Sequence, residues 1–224
     1  MTLHFLVCAA CGAGWAVALA WKAPGGALRS AARNLLGGLV AFAAAWAGYS
    51  VVERVGLRVS WGEVAVGGSG GLATAAVIGL IEESAKLFGM SLASLGVRQA
   101  GRAAVMRTVL GVAAAFSTVE CMLVLGGAGG GVLLGRALLA PVAHAALSAP
   151  LGLVLVGGRR GIRWALPALL LSAALHAASD FSLATPALGR LGYAAVLASP
   201  AVFLHLHARL SWARESAQRG GGAA

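Results

Sequence analysis

Acidic side chains are scarce in this chain: Asp and Glu number seven in 224 residues, against 17 Lys and Arg. Charged residues make up only 11% of the sequence, where a soluble domain carries about 25%. So little charge cannot cover the surface of a water-soluble globule, and the soluble enzyme classes are excluded. Cysteine is scarce too. The three present, Cys8, Cys11 and Cys121, are odd in number and each lies in an apolar stretch. This argues against a disulfide framework or a Cys-rich zinc site and for buried small apolar residues. Basic clusters interleaved with aromatics are missing, so the net charge of +10 is not read as a nucleic-acid footprint, and no nucleic-acid partner is expected. No positive segment precedes the first apolar run, so that run is expected to be a membrane span and not a cleaved leader. Period-two alternation with regular turns, the mark of a membrane barrel, is absent. So are a phosphate-binding loop and the internal repeat of many transporters.

What is present is hydrophobic sequence in long blocks. Seven runs reach spanning length, at about 3–21, 34–52, 71–95, 105–125, 132–156, 164–183 and 188–209. At 1.5 Å per residue, about 20 helical residues cross the ~30 Å hydrocarbon layer. Lipid offers backbone groups no partner, so with a barrel set aside each run must be a helix. The expected fold is an all-α, polytopic transmembrane bundle of about seven helices. It forms a single transmembrane domain over residues 1–219, with a disordered tail at 220–224. Trp21, Trp61, Trp164 and Trp212 fall at or just beyond run ends, where aromatic belts lie. Lys and Arg total 12 in the odd-numbered connections plus the C-terminal tail, and four in the N-terminus plus the even-numbered connections. The positive-inside rule then places the N-terminus outside and the C-terminus in the cytoplasm of a cell-membrane protein. Two glycine-rich connections, 67–71 and 126–131, fall on the outer side. They read as flexible linkers, with a substrate gate as the alternative.

The few acids are concentrated where lipid should be. Four of the seven lie inside the runs: Glu82, Glu83, Glu120 and Asp180. An ionisable residue in a span is expensive and marks a functional site by default. Glu82 and Lys86 are four apart on one helix face and can pair, while Glu83 points about 100° away. Phe116 shares a face with Glu120 in the same way, and Lys86 and Phe116 are read as structural partners. His176 and Asp180 are again four apart, a spacing at which an acid can orient an imidazole or hold it charged. His144 lies in the fifth run. Four consecutive helices, at about 71–183, thus each carry an inward polar ridge. Glu82 and His144 lie roughly 17–18 Å from the outer ends of their helices, and Glu120 and His176 roughly 8–10 Å. One layer between the midplane and the outer surface would accommodate them.

Other polar residues read as structural. His205 and His207 are two apart on a helix and cannot face one site, and His4 sits at the outer boundary as an incidental residue. Ser148, one turn from His144, reads as a small helical residue. Pro150 and Pro167 are expected to kink their helices. The inward set admits three chemistries. A glutamate can act as general base on water with histidine supporting an oxyanion. Histidine and glutamate can hold zinc. A polar ridge can also carry protons or ions, as in a proton- or ion-coupled transporter. Residues serving only to bind helices together, in a non-catalytic scaffold, are the bland alternative; Ser, Thr or Asn normally fills that role.

In chain order the motifs are Glu-Glu-x-x-Lys at 82–86, Phe-x-x-x-Glu at 116–120, His-x₇-Gly at 144–152 and His-x-x-x-Asp at 176–180. Each is weak alone. As an ordered set on four successive helices, they resemble the PrsW-type intramembrane proteases, relatives of the type II CAAX prenyl endopeptidases and bacteriocin-processing membrane enzymes. The resemblance covers about residues 75–185 and says little about the first two helices or the last. It implies a membrane-embedded endopeptidase acting on a membrane-protein substrate in the lipid bilayer. In some relatives that substrate is an anti-sigma factor, cut on the extracytoplasmic side. Carried over by motif, Glu83 or Glu82 is the water-activating base and Glu120 a second carboxylate. His144 and His176 become oxyanion stabilisers or metal ligands. Asp180 stands where CAAX-type relatives more often have Asn, which suits a His-orienting role better than an oxyanion donor. If a metal is present it is a single zinc ion, with His144, His176, Glu83 and Glu120 as its ligands. The metal-free, glutamate-dependent mechanism of CAAX-type relatives is the other option.

Overall fold

The computed structural model describes residues 2–20, 23, 25–124, 130–185 and scattered positions between 189 and 198. Long Ala/Leu/Val/Gly stretches with few breakers give helices, and no strand occurs among the described residues. In order they are α1 (Thr2–Ala20), α2 (Ala27–Arg54), α3 (Trp61–Ala65), α4 (Gly68–Leu95), α5 (Arg102–Val124), α6 (Gly130–Leu147), α7 (Ala149–Val156), α8 (Arg159–Ile162) and α9 (Ala165–Ala184). A short 3-10 turn at Arg98–Ala100 joins α4 to α5.

Among the described residues, α1, α2, α5 and α9 are each long and apolar enough to cross a bilayer. The pair α6 and α7 makes a fifth crossing if taken as one span bent by 46°. At 28 residues α4 is as long as α2. It carries Glu82, Glu83 and Lys86 at its middle, and all three are buried inside the bundle. The seventh expected run, 188–209, lies largely outside the described residues, as do His205 and His207.

Helix α4 packs against α2, α5 and α9, and α5 in turn against α1, α2, α6 and α7. Glycines set how closely. A Cβ on Gly79 of α4 would stand 2.5 Å from the carbonyl oxygen of Ala173 in α9, so only glycine permits that approach. The same holds where Gly89 meets the backbone of Gly37 in α2. A core of Met90, Val105, Val109, Val112 and Leu151 fills the space between α4, α5 and α7.

Several expectations are corrected. The run at 132–156 is two helices meeting at Ser148, where Ser148 N–H bonds the carbonyl of His144 and Leu151 N–H bonds that of Ser148. Pro150 follows at the start of α7; its missing N–H interrupts the helical ladder there. Pro167 kinks nothing, because it lies in the first turn of α9, where an N–H has no helical partner to lose. The glycines at 68–71 are the first turn of α4, and Gly67 and Gly68 provide the positive φ that starts it. Most of the second glycine-rich connection lies outside the described residues. The connection after α2 forms α3, a turn opened by Ser60, whose Oγ accepts from Glu63 N–H.

Cys8 and Cys121 are not free apolar side chains. They form a disulfide joining α1 to α5 across 113 positions of sequence, and Cys11 is the free thiol packed beside them. His4, expected to be incidental, is buried and its Nε2 lies 2.7 Å from the Cys121 carbonyl oxygen. An odd cysteine count hid the bond, since two of three can pair. Closing a loop of this size contributes about 4–5 kcal/mol in the chain-entropy account. Maleimide labelling of unreduced, unfolded protein is therefore expected to add one label, on Cys11, and three after reduction, read by intact mass. Cys121→Ser should lower the thermal midpoint, and more than one label without reductant would refute the bond.

Candidate active site

The middle of α4 places two carboxylates and an ammonium within one turn. Lys86 Nζ lies 2.8 Å from Glu83 Oε1 and 3.3 Å from Glu82 Oε2. The Phe116 ring centre stands 4.5 Å from the same nitrogen, so the cation is shared between two carboxylates and an aromatic face. The Glu82–Lys86 pairing expected from four-residue spacing is present. The shorter contact belongs to Glu83, because residues three apart also meet on a helix surface.

Glu83 is fully buried and fully engaged. Its Oε1 also lies 2.8 Å from His176 Nδ1, and its Oε2 accepts from Ser148 Oγ at 2.6 Å. Ser148 lies one turn beyond His144 on the same face, its N–H still bonded to the His144 carbonyl, and from there its hydroxyl reaches Glu83. Glu82 has a different environment. Tyr49 of α2 donates its hydroxyl to Oε1 at 2.9 Å. On the other side Oε2 lies 3.6 Å from His176 Nε2 and 4.0 Å from His144 Nδ1. The two imidazoles meet edge to face at 5.1 Å between ring centres.

Glu120 and Asp180 stand at the margin. The Glu120 side chain is 30% exposed, with Oε2 3.3 Å from His144 Nε2. The Asp180 side chain is 17% exposed, with Oδ2 3.5 Å from His176 Nε2. Phe116 packs its ring 5.7 Å from that of His144. The structure thus brings Glu82, Glu83, Lys86, Phe116, Glu120, His144, His176 and Asp180 to one place. It distributes them unevenly: one ligand atom each from Glu82, His144 and His176 falls within 4.8 Å of the others. Both oxygens of Glu83 are taken by Lys86, His176 and Ser148, and those of Glu82 are shared between Tyr49 and Lys86, with Oε2 also facing the two imidazoles.

Residues 30–205 match the family described as PrsW family intramembrane metalloprotease. The chain belongs to the PrsW family. No curated protein and no solved structure matches it. Membership in this membrane-protease family accords with the apolar helices, and it makes the chain a multi-pass membrane protein of protease type.

Two residues that touch the cluster were not among the expected site residues. Tyr49 is one of only two tyrosines, near the end of an apolar run, and a buried phenol usually finds a partner; that signal was available. Ser148 carried one too: four-residue spacing puts it on the face of His144, although a small hydroxyl in an apolar run reads first as a helical residue. The buried ion cluster gives a stability prediction. Lys86→Met leaves two buried carboxylates without their cation, and removing one partner of a buried pair costs about 3–5 kcal/mol. Thermal unfolding in nanodiscs should show a large drop for Lys86→Met and a smaller one for the double variant Lys86→Met/Glu83→Gln. Equal stability of Lys86→Met and wild type would contradict the arrangement.

Proposed function

We propose that this PrsW protein hydrolyses a peptide bond of a membrane-protein substrate at a zinc site formed by Glu82, His144 and His176, with Glu120 as general base. The observation that carries the reading is the convergence of those three ligand atoms within 4.8 Å. Two histidines and one glutamate are a catalytic zinc set. Their individual contacts support it. His144 Nδ1 is buried with no hydrogen-bond partner, as suits an atom reserved for an ion. Each imidazole turns one nitrogen toward Glu82 and the other toward a second carboxylate: Glu83 for His176 and Glu120 for His144. Such outer carboxylates fix the tautomer of a metal-binding histidine.

When bound, zinc would polarise the scissile carbonyl and lower the pKa of a water molecule. The chain's own residues supply the rest. Glu120 is the most open of the carboxylates described above and, among the described residues, has His144 as its one close partner. It takes the proton of the attacking water and passes it to the leaving amine. Glu83 acts through His176 as a positioning residue, held by Lys86 and Ser148. Tyr49 holds Glu82, and Asp180 keeps a carboxylate beside His176 Nε2. The surrounding helices exclude bulk water, which strengthens each of these interactions. A regulator such as an anti-sigma factor, cut near the extracytoplasmic side, is the substrate class this reading favours.

Purified protein in nanodiscs should bind one zinc per chain by elemental analysis, and His144→Ala or His176→Ala should lose it. Glu83→Gln should weaken zinc affinity by about 10–100-fold. Glu120→Gln should keep the metal but lower cleavage of a membrane-protein substrate by about 10²–10⁴-fold. Full cleavage by metal-stripped protein would overturn the zinc assignment, and full cleavage by Glu120→Gln would overturn the base. Proton flux in proteoliposomes without any cleavage product would favour a transporter instead.

A further inference from the structure

Arg136 lies on α6, two turns before His144, within the stretch of helix that would cross the membrane. It is half-buried, and its guanidinium carbon stands 5.0 Å from the ring centre of Trp61 on α3. Among the described acids none pairs with it, whereas Lys86, the cation at the centre of the site, is committed to Glu82 and Glu83. Eight helical residues at 1.5 Å each put Arg136 about 12 Å from His144 along α6. Arg136 is near the end of the spanning stretch, which begins at Leu134, and burying part of a guanidinium without a carboxylate partner still carries a desolvation cost. The aromatic face offsets part of that cost and fixes the guanidinium plane. Its hydrogen-bonding edge remains available for a planar, two-oxygen acceptor.

We propose that Arg136, braced by Trp61, is the specificity-determining anchor of the site and takes a carboxylate of the peptide substrate. The acceptor is an acidic side chain beside the scissile bond or a free chain terminus; the chemistry is the same. This rests on the protease reading above. It explains how an acidic peptide can approach a centre rich in carboxylates: Arg136 supplies positive charge at its edge that the site does not itself consume. Neither Arg136 nor Trp61 belongs to the four sequence motifs, so the assignment adds a residue pair to them.

The test measures binding and cleavage separately. Fluorescent single-span Leu/Ala peptides carry Asp or Asn just beyond the outer end of the apolar run, each with a free or amidated C-terminus. Their binding to the full chain in phosphatidylcholine nanodiscs is followed by anisotropy. Wild type should bind a carboxylate-bearing peptide about tenfold or more tightly than its amide counterpart, as for a charge-assisted hydrogen bond. The Asp/Asn and acid/amide arms show which carboxylate is read. Arg136→Gln should abolish the discrimination, Arg136→Lys should retain part of it, and Trp61→Leu should reduce it with Arg136 intact. Equal binding of all peptides by wild type would overturn the proposal. So would an equal loss for every peptide in Arg136→Gln, the result expected of an arginine that anchors lipid phosphate. Cleavage of the same peptides by wild type and Glu120→Gln bears on the protease reading alone.

Discussion

The ammonium of Lys86, buried without solvent contact between Glu82 and Glu83, is the interaction on which the rest of the site depends. Two adjacent carboxylates could not be carried into a helix bundle uncompensated. With Lys86 in place they can, and the helix that holds them packs between α2, α5 and α9. The compensation is incomplete. Lys86 pairs with Glu82 and Glu83 alone, while Glu120 and Asp180 stand against His144 and His176, so four carboxylates gather around one central ammonium. Such an excess is relieved by protons or by a divalent cation. The convergence of Glu82 with two imidazoles, one carrying an unpartnered nitrogen, is where a cation would relieve it.

Packing and chemistry are tied at single positions. His176 reaches Glu83 because α9 lies against α4, and α9 can lie there because Gly79 has no side chain to meet Ala173. Ser148 reaches Glu83 from the His144 face at the end of α6, where its N–H still bonds the His144 carbonyl. A change at Gly79 would therefore reach the active site without altering any residue in it. The glycine content that looked like linker material is, at these helix crossings, what sets the distances between reacting groups.

Much of this was legible in the sequence, for a physical reason: a charge in a lipid-spanning run has few explanations. Glu82, Glu83, Glu120, His144, His176 and Asp180 stand out against the apolar background, and helical spacing gives each an approximate face. Finer pairing was not legible. Spacing alone favoured Glu82 for Lys86 and left Glu83 free, yet Glu83 is the carboxylate enclosed on both oxygens. Residues three and four apart are both neighbours on a helix, and only the surrounding helices decide between them. Pro150 and Pro167 show the same limit for breaks. A proline interrupts a ladder or merely begins one according to where the helix starts, which composition does not reveal.

The N-terminal helix gives the structure its last constraint. The PrsW match begins at residue 30, beyond the end of α1 at Ala20, so α1 lies outside the matched region. Yet α1 grips α5 at the residue next to Glu120. Cys8 holds the Cys121 sulfur, and His4 meets the Cys121 carbonyl. Side chain and backbone of one residue are thus both fixed from the same neighbouring helix. The final turn of α5 cannot shift relative to α1 without losing both contacts. Glu120 is more exposed than Glu82 or Glu83 and has fewer close partners than either, so its position is set less by the charge cluster than by the backbone that carries it. The bond from α1 therefore acts where the site is least able to hold its own geometry.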